Sequence, residues 1–534
     1  MKSRISLCNS TVLKKDLTRF APLMLLTALV LWVVGMIVTE LYDVDYVVSH
    51  YMEPAMIGIV LSTPLGLFSA ITLFTYLTKK RECDAMHALP LRRETLFFTK
   101  VLAALIQFAL PMGIFFIFLP GNRGWWFQML VSFCAWLLSF GIAALAMMLS
   151  GRRLAGLILH SLIYDLGSIL LTFVNDLYIP LLPGVFLAED PSGISPLNSM
   201  MSLDFKEGKL SEILLSMGVI ALVGAAFLAL ALVAYRKRKL ERAGDFLVVK
   251  WLEPVLAWWL GICAAIFFIT IFTLLDGSIW VALAIGLTIG YFAARMFFAR
   301  SIKVFNKKTL IGWLALVVFM AASLFVTSLD PLGVVNRVPA AAEIESVSLY
   351  DSNGVYVELY EYDFYGSNGY TTADPEEVEQ FRTMHQALLE DNLQEIEGTA
   401  SYHNRFYLIY DLKNGSQVCR TYYVLGGEEL KQVKYFLSQP EGLVGSADIE
   451  ELLSSIREME AYGVNGGTIH TERAFLEVFL SECEAGLMYS PDPDEQSSWD
   501  IHFYHKNMGY QTVDIPLSAE KTVAWLEEYF SKQG

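Results

Sequence analysis

The sequence predicts a polytopic α-helical membrane protein of about nine spans, N-terminus inside, followed by an extracellular α+β domain. Three observations carry this reading. The 534 residues are 54% hydrophobic and 18% charged, whereas soluble chains sit near about 45–50% apolar and 25% charged. The apolar residues gather in runs of roughly 20, the length that crosses a hydrocarbon core by helix. Charge divides at Asn336: residues 1–336 hold 27 Lys and Arg against 20 Asp and Glu, while 337–534 hold 12 against 35. The overall net charge of −16 thus averages +7 with −23. A soluble enzyme of uniform composition is excluded, as is a nucleic-acid binder, whose footprint is a basic face.

The apolar runs fall at about 20–39, 55–77, 98–119, 127–149, 154–174, 213–235, 255–274, 279–298 and 310–329. The fourth and fifth are joined only by Ser150-Gly151-Arg152-Arg153, which reads as a helical hairpin. With the N-terminus inside, the inner segments 1–19, 78–100, 150–153, 236–254 and 295–309 carry 24 Lys and Arg. The outer loops carry three, Arg123, Lys206 and Lys209. This asymmetry orients the chain by the positive-inside rule and places residues 330–534 outside. No Ala-x-Ala pattern follows the first run, so it reads as a retained anchor.

Within the spans Asp165 stands out, near the middle of the fifth run, with His160 five residues earlier and Tyr164 beside it. A carboxylate at that depth is costly and faces a partner or a wet cavity. It reads either as a substrate-path or proton-linked group, or as a group paired inside the bundle for assembly. An intramembrane enzyme built on His160 and Asp165 is the weakest reading, because five-residue spacing sets them about 140° apart on a helix. Arg295 can snorkel to the inner surface.

The strongest local signal is the inner loop from Thr78 to Glu94. It mixes Lys80, Arg81, Asp84, His87 and Arg92 with apolar Ala85, Met86 and Leu89. That spacing suits a short helix outside the bilayer, stopped by Pro90, with Arg92-Arg93 anchoring the next span. A solvent-washed connector has no use for Met86, Ala88 and Leu89. A helix that docks on a cytosolic protein does, and so does one resting on lipid headgroups.

Residues 337–534 alternate short β-like runs with helices. Val347–Tyr350 and Val355–Tyr362 flank Ser352-Asn353-Gly354, and Phe406–Asp411 and Gln417–Val424 flank Lys413-Asn414-Gly415; both are hairpin signals. Asp374-Pro375-Glu376-Glu377 opens a helix to about Glu390, with Pro and acids in its first turn, and Glu428–Leu437 reads as another. An internal repeat of about 365–437 and 462–531 aligns Tyr365–Gly369 with Tyr462–Gly466 at an offset of 97. At an offset of 94 it then sets Phe381 against Phe475, Tyr410 against Tyr504, and Tyr435-Phe436 against Tyr529-Phe530. Two similar lobes suit binding or packing better than catalysis. Cys419 and Cys483 lie in this outer domain, where a disulfide is permitted; two buried thiols are the other reading. His502 and His505 fall on opposite faces of a strand. The acidic run Pro491–Glu495 lacks the spaced ligands and glycine of a calcium loop. No metal and no catalytic residues are assigned, and there is no P-loop with which to grip a nucleotide.

The inner loop also carries a resemblance. Tyr76-Leu77, then Arg81-x-x-Asp84-x-x-His87-Ala88-Leu89-Pro90-x-Arg92 and Leu96-Phe97, resembles the first inner loop of Gram-positive ABC exporter permeases of the type-2 class. Tyr235–Gly244, Arg300-Ser301-x-Lys303-Val304-Phe305, and Asp330-x-x-Gly333 with Val338-Pro339 are similar to further stretches of those permeases, in matching order over about 300 residues. The resemblance implies a bacterial plasma-membrane permease that pairs with a separate ATP-binding subunit, which holds ATP and Mg, and that works as a homo- or heterodimer. Lys80–Leu89 would be its coupling helix and Ile5–Leu17, within segment 1–19, its elbow helix along the inner leaflet. Residues 20–235 would form the six-span core. The spans at 236–329 and the outer domain depart from the family pattern. A competing expectation is a membrane sensor or scaffold whose outer domain binds a ligand or cell-wall component without transport.

Overall fold

The computed structural model describes residues 8–41, 54–118, 125–187, 195–201, 210–275, 277–351, 369–390, 405–423, 427–440, 443, 448–462, 467–470, 472–489, 496–505 and 510–532. It has two compact units, Met1–Phe173 with Pro191–Met320, and Val174–Asp190 with Ala321–Gly534.

The first unit is helical: α1 (Ser10–Leu41), α2 (Pro54–Phe74), α3 (Lys80–His87), α4 (Arg93–Phe118), α5 (Trp125–Leu149), α6 (Arg153–Tyr164), α7 (Leu166–Leu177), α8 (Pro196–Met201), α9 (Leu210–Lys237), α10 (Leu252–Leu274), α11 (Ile279–Ala299) and α12 (Lys307–Ser328). The last residues of α7 and α12 belong to the second unit. Among the described residues seven helices are long and apolar enough to cross a membrane, and nine spans result if each of two bent pairs counts as one.

Both bent pairs change what hydropathy alone suggests. Residues predicted as a separate inner segment and a first span form one helix, α1, bent by 44° between Ser10–Pro22 and Met24–Val33. Pro22 supplies the cause, since its ring clashes with the preceding turn and it lacks an N–H. The fifth run is a broken helix in which α6 and α7 meet at Asp165 with a bend of 61°. Asp165 adopts φ −98° and ψ 18°, outside the helical range.

Small residues let the helices approach closely. A Cβ on Gly141 would lie 2.4 Å from the Gly224 carbonyl oxygen, so α5 and α9 meet backbone to backbone. Rings fill the space between α4 and α5: Trp136 stacks on Phe108 at 5.1 Å and on Phe140 at 4.9 Å.

The second unit holds two α+β lobes. The first comprises β1 (Ile344–Asp351), β2 (Gly369–Thr372), α13 (Pro375–Glu390), β3 (Arg405–Leu412), β4 (Gln417–Tyr423) and α14 (Gly427–Leu437). The second follows α15 (Ile449–Ser455) with β5 (Ile456–Tyr462), β6 (Gly467–Thr468), α16 (Glu472–Glu484), β7 (Gln496–His505), β8 (Tyr510–Pro516) and α17 (Glu520–Ser531). Asp374 caps α13 as its sequence position predicts, accepting from the Glu376 and Glu377 amides at 2.9 and 3.2 Å. The expected turn at Ser352–Gly354, the strand Val355–Tyr362, the repeat residues 365–368 and 463–466, and the acidic run Pro491–Glu495 lie outside the described residues. β1 pairs with β2 on one side, Val347 opposite Thr372, and with β3 on the other, Val347 opposite Tyr410.

The sheets share one antiparallel order, β2-β1-β3-β4 and β6-β5-β7-β8. In the helices the offset of 94 places Phe381 and Phe475, and Phe436 and Phe530, in the two cores. In the hairpins the offset is 93: Tyr410 opposes Val418 as Phe503 opposes Gln511. Matching Tyr410 to Tyr504 is therefore one residue out of step. Tyr410 is buried while Tyr504 is only half-buried, because a one-residue slip reverses the faces of a strand. Cys419 lies on β4 and Cys483 on α16, each buried in a different lobe. The lobes interlock through Tyr489, which enters the first lobe's core beside Phe406.

A segment expected only as an outer loop also belongs to this unit. Val185 forms an antiparallel bridge with Arg420, and the Thr421 amide donates to the Gly184 carbonyl at 2.9 Å. Val185 thereby meets the outer edge of β4 through a single β-bridge. The Phe186 ring meets Tyr407 edge-on at 5.1 Å.

Candidate functional site

The loop singled out in the sequence folds as α3, held between a 3-10 turn at Thr75–Thr78 and Pro90. Its two faces differ. Lys80, Arg81, Asp84, Ala85, Ala88, Leu89 and Pro90 are exposed, as is Arg92 beyond them. Cys83 is fully buried, and Met86 packs against the helical core. Met86 and His87 therefore do not belong to an outward docking face, although their polar and apolar spacing suggested it; the 100° step of the helix turns both inward.

His87 joins a polar chain that ties α3 to the long apolar helices. Its Nδ1 lies 2.8 Å from the Cys83 carbonyl, an acceptor, so Nδ1 carries the proton. Nε2 then accepts from the Tyr235 hydroxyl at 3.0 Å, and Tyr235 in turn lies 2.9 Å from the Tyr76 hydroxyl. Burial, reinforced by the charges of Arg93 and Arg238, holds the His87 pKa below its ordinary value, which suits a neutral ring. Burial pushes the Cys83 thiol up.

Two arginines lock the helix ends around this chain. Arg238 is buried and gives four hydrogen bonds: to the carbonyls of Met147, Met148 and Ser150 at 2.8, 2.6 and 2.8 Å, and to Leu77 at 3.0 Å. These are carbonyls that α5 and the 3-10 turn leave unsatisfied at their ends. Burial lowers Arg238 to about 10, still charged at neutral pH. Arg93 donates to the carbonyls of Tyr235, Arg236 and Arg238, capping α9. The Gly151 turn is seated against the following loop, with its amide donating to Phe246 O at 3.2 Å and its carbonyl accepting from Gly244 at 3.0 Å.

The N-terminal arm is tied to the same end. Lys100 on α4 reaches both carboxylate oxygens of Asp16 on α1, at 2.8 and 2.7 Å, in a buried pair, and its ammonium lies 5.3 Å from the Tyr76 ring centre. Sequence reasoning missed Asp16, Lys100, Tyr235 and Arg238 as partners. Lys100 passes for one more inner-loop charge, and the one available signal was an Asp on an otherwise apolar and basic arm.

His160 and Asp165 are not brought together. His160 is buried with Nε2 3.2 Å from Ser139 Oγ, which itself donates to the Thr63 carbonyl at 2.6 Å. The Tyr164 ring stacks on it at 5.4 Å, and among the described residues His160 Nδ1 has no hydrogen-bond partner. Asp165 sits instead at the helix break. His160 lies in a polar seam with Ser139, and Asp165 lies at the break between α6 and α7.

A second polar cluster lies inside the first lobe. His385, fully buried, has Nδ1 3.2 Å from the Tyr410 hydroxyl and its ring edge-on to Tyr422 at 5.5 Å. Arg420, also buried, donates to the carbonyls of Cys419 and Val334. Burial, with the charge of Arg420, depresses His385 to about 3. The second lobe has Phe479, Phe503, Val513 and Ile515 at the corresponding places, so this cluster has no counterpart there; the buried polar contact of the second lobe is elsewhere, where Glu482 accepts from the Thr522 amide and hydroxyl. Among the described residues no three His, Cys, Asp or Glu side chains gather as a metal site.

No protein-family model, no curated protein and no solved structure matches this chain.

Proposed function

We propose that this chain is the membrane-spanning subunit of an ATP-binding-cassette exporter, inserted with its N-terminus inside and its two lobes outside. A separate ATPase subunit holds ATP and Mg and docks on the exposed face of α3, formed by Arg81, Asp84, Ala85, Ala88 and Leu89. The observation that carries the reading is the two-sidedness of α3. A short exposed helix is fastened through His87 to Tyr235 on α9 and, through Tyr235, to Tyr76 in the turn that follows α2, so a push on the outer face reaches the bundle. The chain supplies no hydrolytic group; a partner that binds one arrangement of the helices better than another biases their equilibrium. A homo- or heterodimer of permeases forms the path, and the net charge of −23 in residues 337–534 attracts cationic cargo over long range.

The test is isolation from native membranes with the co-purifying ATPase identified, followed by Arg81→Glu with Asp84→Lys. Loss of ATPase stimulation with unchanged thermal stability supports docking on α3. Unaltered stimulation rejects it. A sensor without transport is the second reading, favoured by one observation: the segment that follows the broken helix at Asp165 bridges to β4 of the outer lobe at Val185. A ligand that alters the exposure of a cysteine placed at Asp165, with no ATPase partner present, would select that reading.

A further inference from the structure

We propose that β8, the edge of the second lobe's sheet, takes up an extended peptide of alternating basic and apolar residues by strand addition. The first lobe shows how such an edge is used. Its edge strand β4 is covered by Gly184–Phe186, with the Thr421 amide donating to Gly184 O. At the hairpin offset of 93 the equivalent of Thr421 is Asp514, and the ladders agree, since Thr421 opposes Tyr407 as Asp514 opposes Asp500. Alternation along an antiparallel strand then turns the Asp514 amide away from β7, towards an added strand. Among the described residues β8 is paired on one side only. Pro516 has no N–H to offer and ends the receptive stretch.

Charge selects the occupant. The exposed Asp514 stands directly opposite Asp500, and the same open face carries Glu460 one strand further, opposite His502 and accepting from Tyr462 and Tyr504. Like charges directly opposed destabilise a sheet, and an opposite charge alongside relieves them. A residue of the added strand facing Asp514 would share that open face, so Lys or Arg suits it. Its neighbours in the added strand would lie beside Val513 and Ile515, which face the core, and suit apolar side chains. The inference holds whether the peptide is cargo or signal.

The test uses the full chain in phosphatidylcholine nanodiscs, with empty discs as blank. The probe is a fluorescent peptide of alternating Lys and Val. Saturable binding is expected, together with loss of binding when alternate backbone nitrogens of the probe are methylated, which keeps its charge but removes its donors. Asp514→Asn should weaken binding roughly two- to fivefold, the range of a cross-strand charge pair, and a Glu-Val peptide should not bind. Equal binding of the methylated probe would mean electrostatic capture alone and overturn strand addition, as would no binding at all. Should a Thr512→Pro variant, which removes an edge donor, fail to fold, the methylated probe on the native chain still decides.

Discussion

Lys100 and Asp16 form a buried ion pair between α4 and α1, closed on both carboxylate oxygens within 2.8 Å. Removing one partner of such a pair leaves a buried charge without compensation, which costs about 3–5 kcal/mol. Asp16→Ala is expected to lower thermal stability by that order and to expose the N-terminal arm to protease. Asp16→Leu with Lys100→Met, which removes both charges, should recover most of the loss. Proteolysis in nanodiscs with an unfolding midpoint checks both; equal losses in single and double variants would refute the compensation.

Arg238 supplies donors to four carbonyls, a fan that one ammonium cannot reproduce. Arg238→Lys should therefore cost about 2–3 kcal/mol through orphaned buried acceptors. The loss should appear as faster amide exchange at the ends of α5 and α9 rather than in the lobes.

His385 makes the first lobe acid-sensitive. Its folded value of about 3 lies below the ordinary 6.5, so the unfolded chain binds more protons between these limits. Stability contributed by the neutral ring is present above about 6.5 and is lost as pH falls towards 3. The second lobe suggests the remedy, Phe479 in the same place. His385→Phe should flatten the dependence in that window while leaving neutral pH little changed, since the Tyr410 hydroxyl keeps the Phe381 carbonyl at 3.4 Å. Exchange of residues 375–423 at pH 4 and 7 measures it.

The bridge that Val185 makes to β4 is flanked by Phe186, whose ring meets Tyr407. Losing an aromatic pair of this kind costs about 0.5–1.5 kcal/mol. Phe186→Ala should speed exchange of the Thr421 amide roughly two- to tenfold, with the amides of β3 unaffected.

Hydropathy and charge were enough to find the apolar helices, the short helix ended by Pro90 and the two α+β lobes, because each rests on local composition or a nearby turn. What escaped depended on distant partners or on direction. The break at Asp165 interrupts neither the apolar run nor its length, so no window records it. Lys100 reads as a loop charge because its carboxylate lies 84 residues away. The Tyr410–Tyr504 match failed because both neighbouring positions are aromatic, Phe503 and Tyr504, and only the strand register says which one faces the core. In α3 the residue types were read correctly as a helix, but His87 is turned inward to Tyr235, 148 residues along the chain, and Met86 to the helical core.

The four carbonyls gathered on Arg238 come from two stretches of chain, with the guanidinium on a third. One residue inserted before any of these ends would advance it by about 1.5 Å and rotate it by about 100°, carrying its carbonyls or its guanidinium out of the fan. The lengths of α2, α5 and α9 are thereby locked to one another, and an insertion in one is tolerated only with a compensating deletion in the same helix.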